Sequence, residues 1–217
     1  MKAQVAKEKS QGWHSDSGRS LLETLAVVAV ATILTAVAVP QMISARRLMR
    51  SNALPREIVT QLRFARQQAM SQRQAFTFQY DDATKNINII DEQTSGATIL
   101  STTGYPNIAG SVTVLSIPIS GGGGLPTAEV SFGVPAGITG TTLGDNTTPT
   151  VLTANKINIT FQPDGTVVDA NGNPTNRTLF FYNNVVPNQT ACAISVLGAA
   201  GRIKIWRYNP SANQYAE

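Results

Sequence analysis

The chain has 217 residues, enough for one core of about 150 residues plus an appendage. Only 14% of them are charged, against a usual share of roughly 25%, and 17 glycines with 11 prolines exclude a collagen-like or low-complexity chain. One cysteine, Cys192, and one histidine, His14, exclude an internal disulfide framework and a multi-cysteine metal site, and argue against His-dependent hydrolases and the usual zinc enzymes.

Residues 1–18 (MKAQVAKEKSQGWHSDSG) are polar, and the run RSLLETLAVVAVATILTAVAVPQMISA follows. Glu23 is the only charge between Leu21 and Ala45. The uncharged stretch from Thr24 to Ala45 is roughly 33 Å long as a helix, enough to cross a bilayer. A secretory signal would place its small-residue cleavage site after a shorter apolar core. Here the candidate cleavage glycine, Gly18, precedes the core. Lysines and arginines flank both ends, so the positive-inside rule does not set the orientation. A carboxylate near the start of a span calls for a partner, and the free α-amino group of a neighbouring subunit is one candidate.

These residues resemble the type IV prepilin and pseudopilin family: a short basic leader ending in Gly18, Glu23 five residues on, an unbroken apolar helix and Pro40 seventeen residues after Glu23. The resemblance implies that a membrane prepilin peptidase cuts between Gly18 and Arg19 and methylates the new N-terminus. It implies that Glu23 sets subunit register in a filament and that Pro40 kinks the helix. Arg19 departs from the apolar residue the family usually has there, and the family's common pair of C-terminal cysteines is absent.

Residues 46–73 carry seven arginines against Glu57, residues 74–201 three cations against eight acids, and residues 202–217 three cations against one acid. A basic stem and tail thus bracket an acidic body, a pattern suited to directed contacts or to a solvated helix face. Within the stem, Pro40 should bend or locally melt the helix, and Pro55 should do the same or follow a short break at Ser51–Asn52. Beyond it, Ile58, Leu62, Ala65 and Ala69 form an apolar stripe at helical spacing. That stripe should pack on the globular domain, leaving Arg56, Arg63, Arg66 and Arg73 to solvent or a neighbouring subunit. Leu62, Ala65-Arg66 and Ala69, followed by Arg73 and a Phe-rich strand, are similar to minor pseudopilins of the FimT/GspH type.

From Ala75 the hydrophobic period changes to two. Strands are predicted over 75–80, 86–91, 97–102, 112–117, 128–133, 156–162, 178–183, 191–197 and 202–208, separated by turn-forming Asp, Asn, Gly and Pro clusters. The expected class is α+β: a long N-terminal helix, half membrane-spanning and half amphipathic, packed on an antiparallel β-sheet or sandwich. The boundaries are 1–18 for the leader, 19–45 for the spanning half, 46–74 for the basic amphipathic half and 75–217 for the β-rich domain. ITFQPDGTV and GRIKIWRY again resemble the FimT/GspH group. Residues 95–155 carry no assignable pattern and read as long, mobile Gly/Thr loops.

No stretch supports catalysis, and no cofactor or metal is implied. Asp169-Ala-Asn171-Gly-Asn173 starts like a calcium loop, but Pro174 and Phe180 stand at the positions that need Gly and Glu, so an Asx-rich turn is the better reading. Asp81-Asp82 and Asp91-Glu92 bracket a hairpin and read as solvated turn residues. Gly121–Gly124 opens no helix and is no phosphate loop. Cys192 reads as a small buried hydrophobe.

In the last strand, alternation places Arg202, Lys204, Trp206 and Tyr208 on one face and Ile203 with Ile205 on the other. Cations interleaved with aromatics suit nucleic acid. Gly201, Arg202 and Lys204 resemble the Gly-Arg-x-Arg segment through which FimT-branch members bind DNA, with Lys in place of the second Arg, which loses a bidentate fork. The simpler reading, an amphipathic edge strand kept soluble by its charges, is favoured.

The sequence is therefore read as a minor pilin or pseudopilin that primes or caps a type II secretion pseudopilus or a type IV pilus. Expected partners are prepilin peptidase, other minor and major pilins or pseudopilins, and the bacterial inner membrane, with the C-terminal domain periplasmic. The alternatives are a DNA-capturing pilin using Arg202, Lys204, Trp206 and Arg207, and a plain signal-anchored periplasmic domain.

Overall fold

A computed structural model describes residues 21–93, 110–120, 124–169 and 171–217. The predicted strand at 97–102 and most of Gly121–Gly124 lie outside these residues, as do the leader and the Gly18–Arg19 junction. The chain divides into two units, residues 1–43 and residues 44–217. Helix α1 (Leu21–Gln72) supplies the described part of the first and opens the second.

In the second unit, α1 buries Leu54, Ile58, Val59, Leu62, Ala65 and Ala69. The stripe read from the sequence is thus the packed face. Ala65 and Ala69 are fully buried, in the same core as side chains from both sheets. Helical structure continues through both Pro40 and Pro55, which corrects the expected break after Ser51–Asn52 and the expected local melting. At Pro55 the reason is tertiary: Ser51, Leu54, Pro55, Ile58 and Val59 are all buried, and that packing outweighs the loss of one helical hydrogen bond. The helix ends where Arg73 takes a left-handed conformation, φ 55°, which ends the helical hydrogen bonding.

Among the described residues nine strands follow: β1 (Phe76–Asp81), β2 (Asn86–Asp91), β3 (Val112–Pro118), β4 (Val130–Phe132), β5 (Lys156–Phe161), β6 (Arg177–Asn183), β7 (Cys192–Leu197), β8 (Arg202–Asn209) and β9 (Gln214–Ala216). One antiparallel sheet has the order β3-β2-β1-β5 and another the order β4-β6-β7-β8-β9. This is the predicted α+β arrangement of a long helix packed on antiparallel sheets. Three details differ. Residues Thr127–Glu129 form a 3-10 turn ahead of a shorter β4, Pro187–Thr190 make a single helical turn (α2), and β9 had no legible alternation.

The main core joins the helix stripe to Phe76, Phe78 and Tyr80 of β1, Ile87 and Ile89 of β2, Ile159 and Phe161 of β5, Leu179 and Phe181 of β6, and Ile194 and Val196 of β7. Phe181 meets Tyr80 and Phe132 edge to face, with centroids 5.1 and 5.3 Å apart, an arrangement favoured by ring quadrupoles. A second core lies on the opposite face of the five-stranded sheet, where Ile138 and Leu143 cover Phe180, Ala193, Trp206 and Tyr215. The patternless middle of the chain thus supplies a packed cover at Ile138 and Leu143, correcting the expectation of mobile loops for that part.

The other face of the four-stranded sheet carries a polar ladder. Ser116 Oγ donates to Asn88 Oδ1 (2.7 Å), Asn88 Nδ2 to Gln79 Oε1 (3.4 Å) and Gln79 Nε2 to Asn158 Oδ1 (3.0 Å). Thr77 and Thr160 share a hydroxyl–hydroxyl bond of 2.8 Å beside it. Glu92, expected in a solvated turn, is fully buried, and neither carboxylate oxygen has a hydrogen-bond partner among the described residues. Burial pushes its carboxyl above the ordinary range; the nearby Thr77 hydroxyl pulls the other way and Asp91 adds to the rise. A carboxyl with a raised folded-state pKa binds more protons folded than unfolded, so its contribution to stability falls as pH climbs from its ordinary value through the raised one. Glu92→Gln is expected to raise the thermal midpoint at pH 7. The gain should shrink as pH is lowered towards 4; an equal gain at both pH values would mean that charge burial is not its cause.

Candidate functional site

Two regions carry the sequence-level expectations: the start of α1 and strand β8. In the first unit Glu23 stands in the first turn of α1, where its charge favours the positive end of the helix dipole. It shares a shallow concavity with Thr24, Val27 and Val28. Around and beyond it, Leu22, Leu25, Val27, Val28, Ile33, Leu34 and Ile43 are all more than half exposed. This part of α1 is long and apolar enough to cross a membrane and is unburied along its length.

The polar side chains here are largely sequestered. Thr24, Thr32 and Thr35 donate their hydroxyls to the carbonyls of Leu21, Val28 and Ala31 at 2.9, 2.7 and 2.7 Å. Back-bonding of this kind hides donors that an apolar surrounding cannot satisfy. The Glu23 carboxylate is different: it has neither a hydrogen bond nor an ion pair with any described residue. A helix that satisfies its hydroxyls internally and, among the described residues, leaves the Glu23 carboxylate without a partner is suited to apolar packing with a point of polar recognition.

The second unit ties its own length of α1 to the sheets by polar contacts that the sequence did not reveal. Arg47 Nε lies 3.2 Å from Glu129 Oε2 and its Nη2 3.4 Å from Oε1. Asn183 Nδ2 donates to the same carboxylate (2.8 Å) and to Ser51 Oγ (3.1 Å). Further along, Arg66 leaves the row of free arginines expected for it. Its Nε donates to Gly165 O at 3.2 Å and its Nη2 to Ala200 O at 3.0 Å. Arg56, Arg63 and Arg73 are exposed. The pairs lie 54 to 134 positions apart in the chain, and no periodicity signals such contacts.

In β8 the alternation holds but the exposure does not. Trp206 is 6% exposed, in the second core, and its Nε1 donates to Ser195 Oγ at 2.9 Å. Ser195 in turn donates to Asp145 Oδ2 at 2.5 Å. Lys204 Nζ is 2.6 Å from Glu217 Oε2 and 5.0 Å from the Trp206 ring. Arg207 is on the opposite face, with Nη1 donating to Asn52 Oδ1 at 3.4 Å; Arg202 is exposed. Lys204 and Trp206 come together, but as a packed pair rather than as an open stacking surface, and Arg207 is not on their face. Ile203 and Ile205 pack against the main core.

The remaining candidates are resolved locally. Asp169 Oδ1 accepts the backbone N–H groups of Asn171 and Asn173, both at 2.9 Å, which is the Asx turn predicted. Asp81 Oδ1 accepts from the backbone N–H groups of Ala83 and Thr84 in the β1–β2 turn, and Asp82 pairs with Lys85 at 2.6 Å. Cys192 is buried, and loss of water pushes its thiol up to about 12. Since the thiolate is the reactive form, Cys192 is expected to resist iodoacetamide at pH 8 in the folded protein and to alkylate fully in denaturant. Rapid native labelling would contradict this packing.

No protein-family model and no curated protein matches this chain. Among solved structures, two crystal structures of the type IV minor pilin FimU of Pseudomonas aeruginosa strain PAO1 do. Each is 21% identical over 76% of this chain. They are matched over 92% and 97% of their own lengths, with TM-scores of 0.42 and 0.41.

Proposed function

We propose that this chain is a minor pilin or pseudopilin, anchored in the bacterial inner membrane with its β-rich domain in the periplasm, and then drawn into a filament through α1. The observation that carries the reading is the unburied apolar helix over residues 21–43, with its hydroxyls bonded inward and one carboxylate, Glu23, that has no partner among the described residues. In this reading prepilin peptidase cuts between Gly18 and Arg19 and methylates the new amino group. Glu23 then pairs with the N-terminal amine of a neighbouring subunit, and Pro40 allows the helix to bend. Packing of apolar helices supplies the assembly energy. The subunit primes or caps a pilus or a type II secretion pseudopilus alongside other minor pilins.

The test is the mature N-terminus, read by mass spectrometry after co-expression with a prepilin peptidase. A chain beginning at Arg19 is expected. A chain that keeps residues 1–18 would instead favour a plain signal-anchored domain. Because Arg19 replaces the usual apolar residue, a mostly unmethylated amine is the expected form of the product.

A further inference from the structure

Between residues 74 and 201 the body has three cations among eight acids. Two are paired: Lys85 Nζ with Asp82 at 2.6 Å, and Lys156 Nζ with Asp81 at 3.5 Å. The third, Arg177 at the start of β6, is only partly exposed, and its side chain makes no hydrogen bond or ion pair with any described residue. A half-buried guanidinium has lost part of its hydration, and none of its five N–H donors is repaid by any described residue. Burial lowers its proton affinity, and Asp169 offsets this only in part.

The surroundings of Arg177 have room for what is missing. It lines a cleft of about 430 Å³ between residues 146–151 and the start of β6, within the size range of small-ligand sites. It also lines a smaller cleft, of about 30 Å³, together with Lys156 and Asn158. Thr150 and Val151 border both, so Arg177 stands where the two meet. The rest of the larger cleft's lining is threonine hydroxyls and asparagine amides, among them Thr148 and Asn176, with Pro149 and Val151, and it holds no carboxylate; Asp169 acts on Arg177 from outside that lining.

We infer that this cleft is a binding site for a carboxylate, held by the Arg177 fork. A carboxylate matches a single guanidinium in shape and in charge. A dianionic phosphate, or a polyanion such as nucleic acid, would meet the net negative body around one arginine. The carboxylate comes from an acidic side chain of another protein or from a sugar acid. The site does not depend on the filament reading.

The full chain, in a non-ionic detergent, is titrated with N-acetyl-aspartyl amide, with glucuronate and with inorganic phosphate, while the side-chain amide resonance of Asn176, which lines the cleft in wild type and variants alike, is followed. At least one carboxylate is expected to shift it with a Kd of about 10 mM or tighter, and the stronger of the two identifies the source. Arg177→Gln should abolish the response while raising the thermal midpoint of the free chain. Arg177→Lys, which keeps the charge without the fork, should weaken binding several-fold. Should the Arg177 variants fail to fold, Val151→Trp offers an independent block, because Val151 is 81% exposed and tolerates enlargement. Phosphate binding as tightly as the carboxylates, no shift from either, or full binding in Val151→Trp would each overturn the assignment.

Discussion

Replacing Gly201 by alanine is expected to destabilise the β-rich unit by at least about 3 kcal/mol, a fall of about 10 °C in thermal midpoint for a domain of this size. Gly201 lies in the turn between β7 and β8 with φ 57°, where any side chain carries left-handed strain of roughly 1 kcal/mol. Space is the larger difficulty. A Cβ there would collide with the Gly165 carbonyl oxygen and sit 2.7 Å from Arg66 Nε. That carbonyl is the acceptor for Arg66 Nε, and Ala200 supplies the acceptor for Nη2. The substitution therefore separates two backbone segments and breaks the arginine's hold on both. Thermal unfolding followed by near-ultraviolet circular dichroism measures the loss. Arg66→Met keeps most of the stem but removes the donors, and should cost only about 1–2 kcal/mol. Equal losses in the two variants would show that the hydrogen bonds, not the close approach at Gly201, dominate.

The second large effect concerns Glu23. If its carboxylate meets a neighbour's amine in an apolar surrounding, Glu23→Gln leaves that amine buried without a counter-charge. Breaking such a pair costs about 3–5 kcal/mol, so incorporation into filaments should fall by about a hundredfold or more. Removal of residues 1–18 should be unaffected. The glutamine variant is nearly isosteric, and the helix around it carries its own backbone hydrogen bonds. Sheared filament fractions and membrane fractions, compared by immunoblot, separate assembly from processing. Wild-type incorporation of the variant would remove Glu23 from the registry role while leaving the membrane-spanning reading untouched.

What could be read from the sequence was what repeats at short range. The stripe at Ile58, Leu62, Ala65 and Ala69 follows from 3.6 residues per turn, and it is buried as expected. Period-two alternation located eight of the nine strands among the described residues, and the Asx turn at Asp169 follows from its side-chain chemistry. The isolated carboxylate in an apolar run, Glu23, was legible for the same reason: it is a local contrast in hydropathy. Nothing in the sequence singled out Arg177, whose significance lies in the absence of a partner.

Burial and pairing across the chain were decided only by the tertiary structure. Trp206 alternates with cations in sequence and looked available, yet Ile138 and Leu143, from a stretch with no period of its own, cover it. Glu92 sits next to a turn in sequence but is enclosed in the fold. Arg66 shares its spacing with exposed arginines, and only the arrival of Gly165 and Ala200 makes it an anchor. Local chemistry sets backbone conformation and which face is apolar, because those depend on neighbours a few residues away. Which polar group is left exposed, paired or stranded depends on segments a hundred residues distant, and that is fixed when the sheets and the helix close on one another.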